Sequence, residues 1–144
     1  MKLSKRGEYG LRAMVALASQ PVGTVAPIKE IAQREQIPVK FLEQILLTLR
    51  NAGLLRSRMG VSGGYALAKP PEEITLGQII RILDGPLAPI LCVSQTAYES
   101  CACPDEQTCG LRLVMFDVRN AISEILDRTS LADVAHRVEI IRTI

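Results

Sequence analysis

Cys92, Cys101, Cys103 and Cys109 fall within eighteen positions in the spacing C-x8-C-x-C-x5-C, and they are all the cysteines the chain has. Thiolates at that density suit zinc, copper(I) or an iron–sulfur cluster. No C-x-x-C pair is present, so a structural zinc ribbon is a poor match. Two other readings of the same residues stay open: a thiol switch that answers to oxidation, and reduced cysteines with no chemical role. The segment around them, 89–108, is partly acidic and has no clear periodicity. In a cytoplasmic protein that setting favours metal or redox chemistry over structural disulfides.

A second group could read a nucleic acid. Lys40, Glu43, Gln44 and Arg50 lie off the apolar stripe Phe41, Leu42, Ile45, Leu46, Leu49 of one helix. Gln44 can serve adenine bidentately, and Glu43 can accept from cytosine or reject other bases. Lys40, Arg50, Arg56 and Arg58 suit phosphates, and an arginine at a hairpin tip can enter a minor groove. The plain alternative is the solvated face of an ordinary amphipathic helix. Charge distribution speaks for the first reading. Residues 1–70 carry 11 Lys and Arg against 4 Asp and Glu, whereas 71–144 carry 6 against 11, so the net +2 hides a basic half and an acidic half. A basic half favours a phosphate-rich partner through counterion release.

Gly60-Val61-Ser62-Gly63-Gly64 also matches G-x-S-x-G, the nucleophile elbow of α/β-hydrolases, with Ser62 as nucleophile. That elbow needs a strand before it and a helix after it. Here the following run Tyr65–Ala68 ends in Pro70-Pro71, and the lone histidine, His136, is the only base. The hydrolase is the remote alternative, because glycines at a hairpin tip explain the same residues.

The elements that must position these groups follow from pattern. Ser4 caps a helix over 5–19, and Pro21-Val22-Gly23 breaks it. A short second helix holds Ile28, Ile31 and Ala32 and ends near Gln36. Pro38 then stands as first residue of a third, which Gly53 closes. Two short helices across a tight turn have helix-turn-helix spacing. Leu54–Met59 and Tyr65–Ala68 read as strands of a hairpin, with Arg56 and Arg58 on one face. Thr75-x-x-Gln78 opens a helix over 76–83, and a long helix runs over about 109–128. The long helix spaces Leu111, Met115, Val118, Ile122 and Ile125 as a two-heptad seam, which suits a dimer or ordinary packing. Ser130-x-x-Asp133 caps a short final helix. The fold class is mainly α with a small β-hairpin: a winged helix-turn-helix domain over 1–70, then a cysteine-bearing loop and dimerisation helices over 71–144.

Composition removes several classes. Aromatic residues make up only 3% with no Trp, which argues against an aromatic platform for single strands. No apolar run reaches the ~18 residues of a membrane span. The stretch Ala13–Ala18 is too short for a signal peptide core, so the expected location is cytoplasmic.

Read in order, Met1–Ser4, Tyr9–Met14, Ile31-Ala32, Phe41–Leu46, Ala52–Leu54, Gly63–Ala68 and Ser130–Val134 resemble the bacterial winged-helix regulators that include IscR, NsrR and CymR. The resemblance covers nearly the whole chain. It implies a transcriptional regulator, such as a repressor, that acts as a homodimer through the long helix. It also implies binding to a roughly palindromic duplex operator by the helix at 38–51 and the wing at 54–68, with Gly63 in the wing. It gives Glu43 the role of base discrimination. Where the family's wing has Arg-Gly, this chain has Met59-Gly60 with Arg58 one place earlier. The resemblance further implies an iron–sulfur cluster on Cys92, Cys103 and Cys109, a [2Fe–2S] cluster in preference to a [4Fe–4S] one, reporting cluster status, nitric oxide or redox state. The histidine that completes the site in IscR-like members is Arg112 here. Glu8, supplied across the dimer, is the expected fourth ligand, with Cys101 as the alternative. The rival regulator is cluster-free and is controlled by thiol oxidation or a partner protein.

Overall fold

Ser4 sets the first helix: its hydroxyl accepts from the Gly7 N–H and caps α1, Lys5–Ala18. The computed structural model describes residues 2–144. Helix α2 is Ile28–Glu35 and α3 is Val39–Asn51. Between them Gln36 takes φ 55, the one non-glycine residue in the left-handed region among the described residues. That kink reverses the chain within two residues and produces the helix-turn-helix. Pro38 caps α3 instead of beginning it. Its ψ of 129 is still extended while its carbonyl already accepts from Leu42 N–H at 2.9 Å. At the other end Gly53 takes φ 87, and the N–H groups of Gly53 and Leu54 donate to the carbonyls of Arg50 and Leu49. This is a Schellman closure, which needs the left-handed residue that glycine supplies most cheaply.

Strands β1, Leu55–Arg58, and β2, Gly64–Leu67, pair antiparallel with Leu55 opposite Leu67 and Arg58 opposite Gly64. The first strand is shorter than 54–59 because the chain from Met59 turns into the tip, closed by Gly63 N–H to Gly60 carbonyl at 3.0 Å. A bridge between Ala26 and Tyr65 holds the hairpin to the segment before α2. A Cβ on Gly64 would lie 2.1 Å from the Ala26 carbonyl oxygen, so only glycine permits that approach. Ser62 sits exposed at this tip, with a strand after it and no helix.

Thr75 and Gln78 form a complete capping box for α4, Leu76–Asp84. Asp84 then accepts from the backbone and hydroxyl of Ser4, joining the end of α4 to the start of α1. Helix α5 is Gly110–Arg128, with Cys109 as its cap, and α6 is Leu131–Thr143 behind a Ser130–Asp133 capping box. The last helix is longer than its start signal suggests. It packs along α1, where Val134 and Val138 share a cleft with Leu11 and Val15.

The main core gathers Ala13 and Met14 of α1, Ile31 of α2, and Leu42, Ile45, Leu46 and Leu49 of α3, all nearly or fully buried. Ile74, Ile79, Leu83 and Leu131 complete it, so the core continues past residue 70. A second, small cluster holds Ala88, Cys92 and Val93, with Met115 of α5 against it. No described helix is long and apolar enough to cross a membrane.

Candidate nucleic-acid interface and thiol site

Burying one stripe of α3 leaves the other face outward. Lys40, Glu43, Gln44, Leu47 and Arg50 are exposed at helical spacing. Leu47, 43% exposed, is an apolar residue on that polar face. Arg50 leans toward the hairpin and donates to Ser57 Oγ at 3.3 Å. Arg56 and Arg58 are exposed on the strand, and Arg58 lies nearer the tip, opposite Gly64. A groove of about 420 Å³ runs between α2, α3 and the hairpin, lined among others by Lys29, Glu43, Arg50, Arg58 and Gly63. The structure thus brings Glu43, Arg50, Arg58 and Gly63 to one groove, with Lys40 and Gln44 on the same exposed helix and Arg56 one step back along the strand. Lys29 was not apparent from the sequence, because α2 carries no reading pattern of its own. Its only signal is a position one residue into a helix beside the wing.

The hairpin tip also presents Met59 and Val61, 91% and 109% exposed, as unburied apolar side chains. They flank the arginines in a position open to a partner surface.

The thiols come together at the foot of α5. Cys92 is buried on a single 3₁₀ turn, Leu91–Val93, while Cys101 and Cys109 are half-buried and Cys103 is exposed. All four line one cavity of about 380 Å³, together with Arg112. Cys109 Sγ caps α5 by accepting from Arg112 N–H at 3.4 Å. The Cys103 thiol is pushed up to about 11, first by its hydrogen bond with Cys101, then by desolvation and the negative potential of Cys101 and Cys109. Cys92 is also raised, by desolvation first and by the nearness of Cys101 and Glu106 second.

Glu106 was not apparent from the sequence; only its place inside the cysteine run could have marked it among many acidic residues. Its carboxylate accepts from Tyr98 OH at 2.7 and 2.6 Å and lies 3.5 Å from Arg112 Nε. The hydrogen bond to Glu106 raises the Tyr98 phenol. Arg112 Nε is buried and makes no hydrogen bond among the described residues. Glu8 stands elsewhere on this chain. It is on α1, paired with Lys5 at 3.4 Å and Arg12 at 3.8 Å.

One buried cation links the thiol site to the long helix. Arg119 is 8% exposed, donates to the Val93 carbonyl at 2.9 Å and stacks over Phe116 at 4.3 Å. At the far end of α5, Asp127 accepts from Nη1 and Nη2 of Arg81 at 2.6 and 2.9 Å. That pair holds the Asp127 carboxyl below its ordinary value. One face of α5 is left open: Leu111, Leu113, Val114 and Ile125 are each more than half exposed.

Residues 3–137 match the family model Rrf2, described as an iron-dependent transcriptional regulator. The chain belongs to the Rrf2 family. The transcriptional regulator CymR of Bacillus subtilis is 38% identical over 135 residues, covering 94% of this chain and 90% of its own length. The solved structure of that protein, described as the global cysteine regulator of B. subtilis, superposes with a TM-score of 0.80 at 36% identity, covering 95% and 98% of the two chains. The structure of T. potens IscR superposes with a TM-score of 0.72 at 33% identity, covering 96% and 88%. These matches agree with the winged-helix fold and with the role of transcriptional regulator.

Proposed function

We propose that this Rrf2 regulator is a cytoplasmic homodimer that binds a roughly palindromic duplex operator, and that the chemistry of its four-cysteine cavity sets the affinity. The observation that carries the proposal is the arrangement of two exposed surfaces on one chain. α3 and the wing form a basic groove, and the thiols meet at the foot of the helix that also exposes an apolar face. Residues 1–70 do the reading and 71–144 the sensing and pairing. Glu43 and Gln44 read base edges, while Lys40, Arg50, Arg56 and Arg58 contact phosphates, with Arg58 nearest to a minor groove and Gly63 shaping the tip.

The donor set fits an iron–sulfur cluster. Four soft sulfurs line one partly dry cavity, and the Arg112 cation can offset thiolate charge. Cys92, Cys103 and Cys109 would hold it, with Cys101 or a partner's Glu8 as fourth ligand, and the [2Fe–2S] type is preferred. Bound there, it would supply one-electron redox chemistry and reactivity toward nitric oxide. The chain's own residues carry the coupling. Arg119 ties the Cys92 turn to α5, so a change in what the thiols hold alters 89–108 and shifts the population of dimers whose reading helices match the operator.

A second reading is favoured by the Cys103 thiol lying against Cys101 and Cys109. It is a cluster-free regulator controlled by thiol oxidation or a protein partner. One experiment separates them: anaerobic purification, iron and sulfide analysis, and selection of bound fragments from a random duplex library. Iron with sulfide and a palindromic selected site support the first reading. A selected site with colourless, iron-free protein after reconstitution supports the second, and no selected site removes both.

A further inference from the structure

Cys92 Sγ, Cys101 Sγ and a Glu106 carboxylate oxygen all lie within 4.8 Å of one another, and the residues are buried, half-buried and half-buried in that order. We propose that these three side chains form a site for a single divalent cation of the zinc class, distinct from the three-cysteine set Cys92, Cys103 and Cys109. Two sulfurs and one oxygen are a donor set zinc accepts, and around a tetrahedral zinc, with bonds near 2.3 Å, such donors stand roughly 3.8 Å apart.

The outer contacts support the same assignment. A ligating carboxylate is normally itself hydrogen-bonded, which fixes its orientation. Glu106 has that support ready-made: Tyr98 OH donates to it and Arg112 Nε lies 3.5 Å from it. Tyr98 reaches across eight residues of an otherwise irregular loop to do so, giving this stretch a fixed point that no helix or strand provides. The three donors come from the 3₁₀ turn, the middle of the loop and the approach to α5. One ion therefore ties together a segment that has little core of its own. Cys92 belongs to both sets, so a single ion and a cluster exclude each other.

The proposal rests on the cavity holding a ligand and is independent of the DNA-binding role. The test is a titration of the full-length, reduced, metal-free chain with Co²⁺ as optical probe, followed by displacement with Zn²⁺. The expected result is one Co²⁺ per chain with tetrahedral visible bands and a sulfur-to-cobalt absorption lost on adding Zn²⁺. That absorption falls by about half in Cys101→Ser and in Cys92→Ser, because each sulfur contributes its own transition, and it is unchanged in Cys103→Ser. Glu106→Gln keeps the absorption per bound ion but weakens binding at least about tenfold, and Tyr98→Phe weakens it by about tenfold. Circular dichroism confirms that each variant keeps its helices. Absorption that drops in Cys103→Ser and Cys109→Ser but not in Cys101→Ser overturns the proposal, as does unaltered affinity in Glu106→Gln. Failure to bind Co²⁺ in a chain that still takes up iron and sulfide overturns this site and leaves the cluster reading standing. Zn²⁺ that blocks uptake of iron and sulfide supports the shared Cys92.

Discussion

Around Leu42 and Ile45 the chain buries side chains from five helices and both strands, whereas the apolar cluster around Cys92 buries Ala88 and Val93, with Met115 alongside. The first region has α1 and α4 capped by Ser4 and Thr75, α3 closed by Gly53, and its wing pinned to Ala26. The second has one 3₁₀ turn and side-chain hydrogen bonds such as Tyr98 to Glu106. A region held by hydrophobic burial keeps one shape whatever binds to it. A region held by a few polar contacts takes much of its order from its ligand, which suits a sensor. On the proposed function, this contrast gives rigidity to the reading surface and responsiveness to the thiols, and Arg119 joins the Cys92 turn to α5.

The largest effect that could break this contrast is on stability. Leu42→Ala, at a position with no exposure, is expected to cost about 2–5 kcal/mol in urea unfolding. Cys103→Ala, at an exposed position, is expected to cost less than about 0.5 kcal/mol in the metal-free chain. Equal costs would mean that the cysteine segment has a core of its own.

Next in size is the pairing face of α5. Ile125→Glu puts a charge where a partner helix is expected, a penalty of a few kcal/mol if that charge is buried unpaired. Sedimentation is expected to fall from twice 15.7 kDa to 15.7 kDa, with operator binding lost alongside. An unchanged mass would show that the exposed residues of α5 serve something other than pairing.

The reading surface should divide its labour. Glu43→Ala is expected to relax sequence discrimination by about 1–3 kcal/mol at one position of each half-site. Arg58→Ala is expected to weaken all sequences alike and to lower the salt slope by about one. If both variants weakened every sequence equally, the roles given to these residues would be wrong.

The smallest effect is a pH dependence at the far end of α5. Asp127 has a depressed carboxyl because Arg81 hydrogen-bonds its charged form. Its contribution is therefore complete above the ordinary aspartate value and is lost as pH falls through the depressed one. The pair is partly solvated, so Asp127→Asn is expected to cost about 1 kcal/mol or less at pH 7. Wild type and variant should converge in thermal scans as the pH falls through the depressed Asp127 value. Gly77 supports the geometry, since a Cβ there would come 2.0 Å from the Asp127 carboxylate.

Much of the reading half was legible in the sequence because its signals are local. Ser4 and Gly53 act within four residues, and the stripe on α3 directly separates Leu42 and Ile45 from Glu43 and Gln44. Arg56 and Arg58 followed from the period of a strand. The thiol half was legible only as a list of ligand types. Spacing cannot say that Tyr98 reaches Glu106 or that Arg119 reaches the Val93 carbonyl, because loop conformation and side-chain direction decide both. Lys29 escaped for a similar reason: its meaning depends on the wing folding back beside α2.

The measurement that bears most directly on the coupling is operator affinity of one preparation in two states, anaerobic with iron and sulfide bound and then reduced and metal-free, with Arg119→Ala run in parallel. The account predicts an affinity difference of at least about tenfold, or about 1.4 kcal/mol, between the states. It also predicts that the difference shrinks in Arg119→Ala. Equal affinity in both states of the wild type, with iron and sulfide verified in the first, would contradict it.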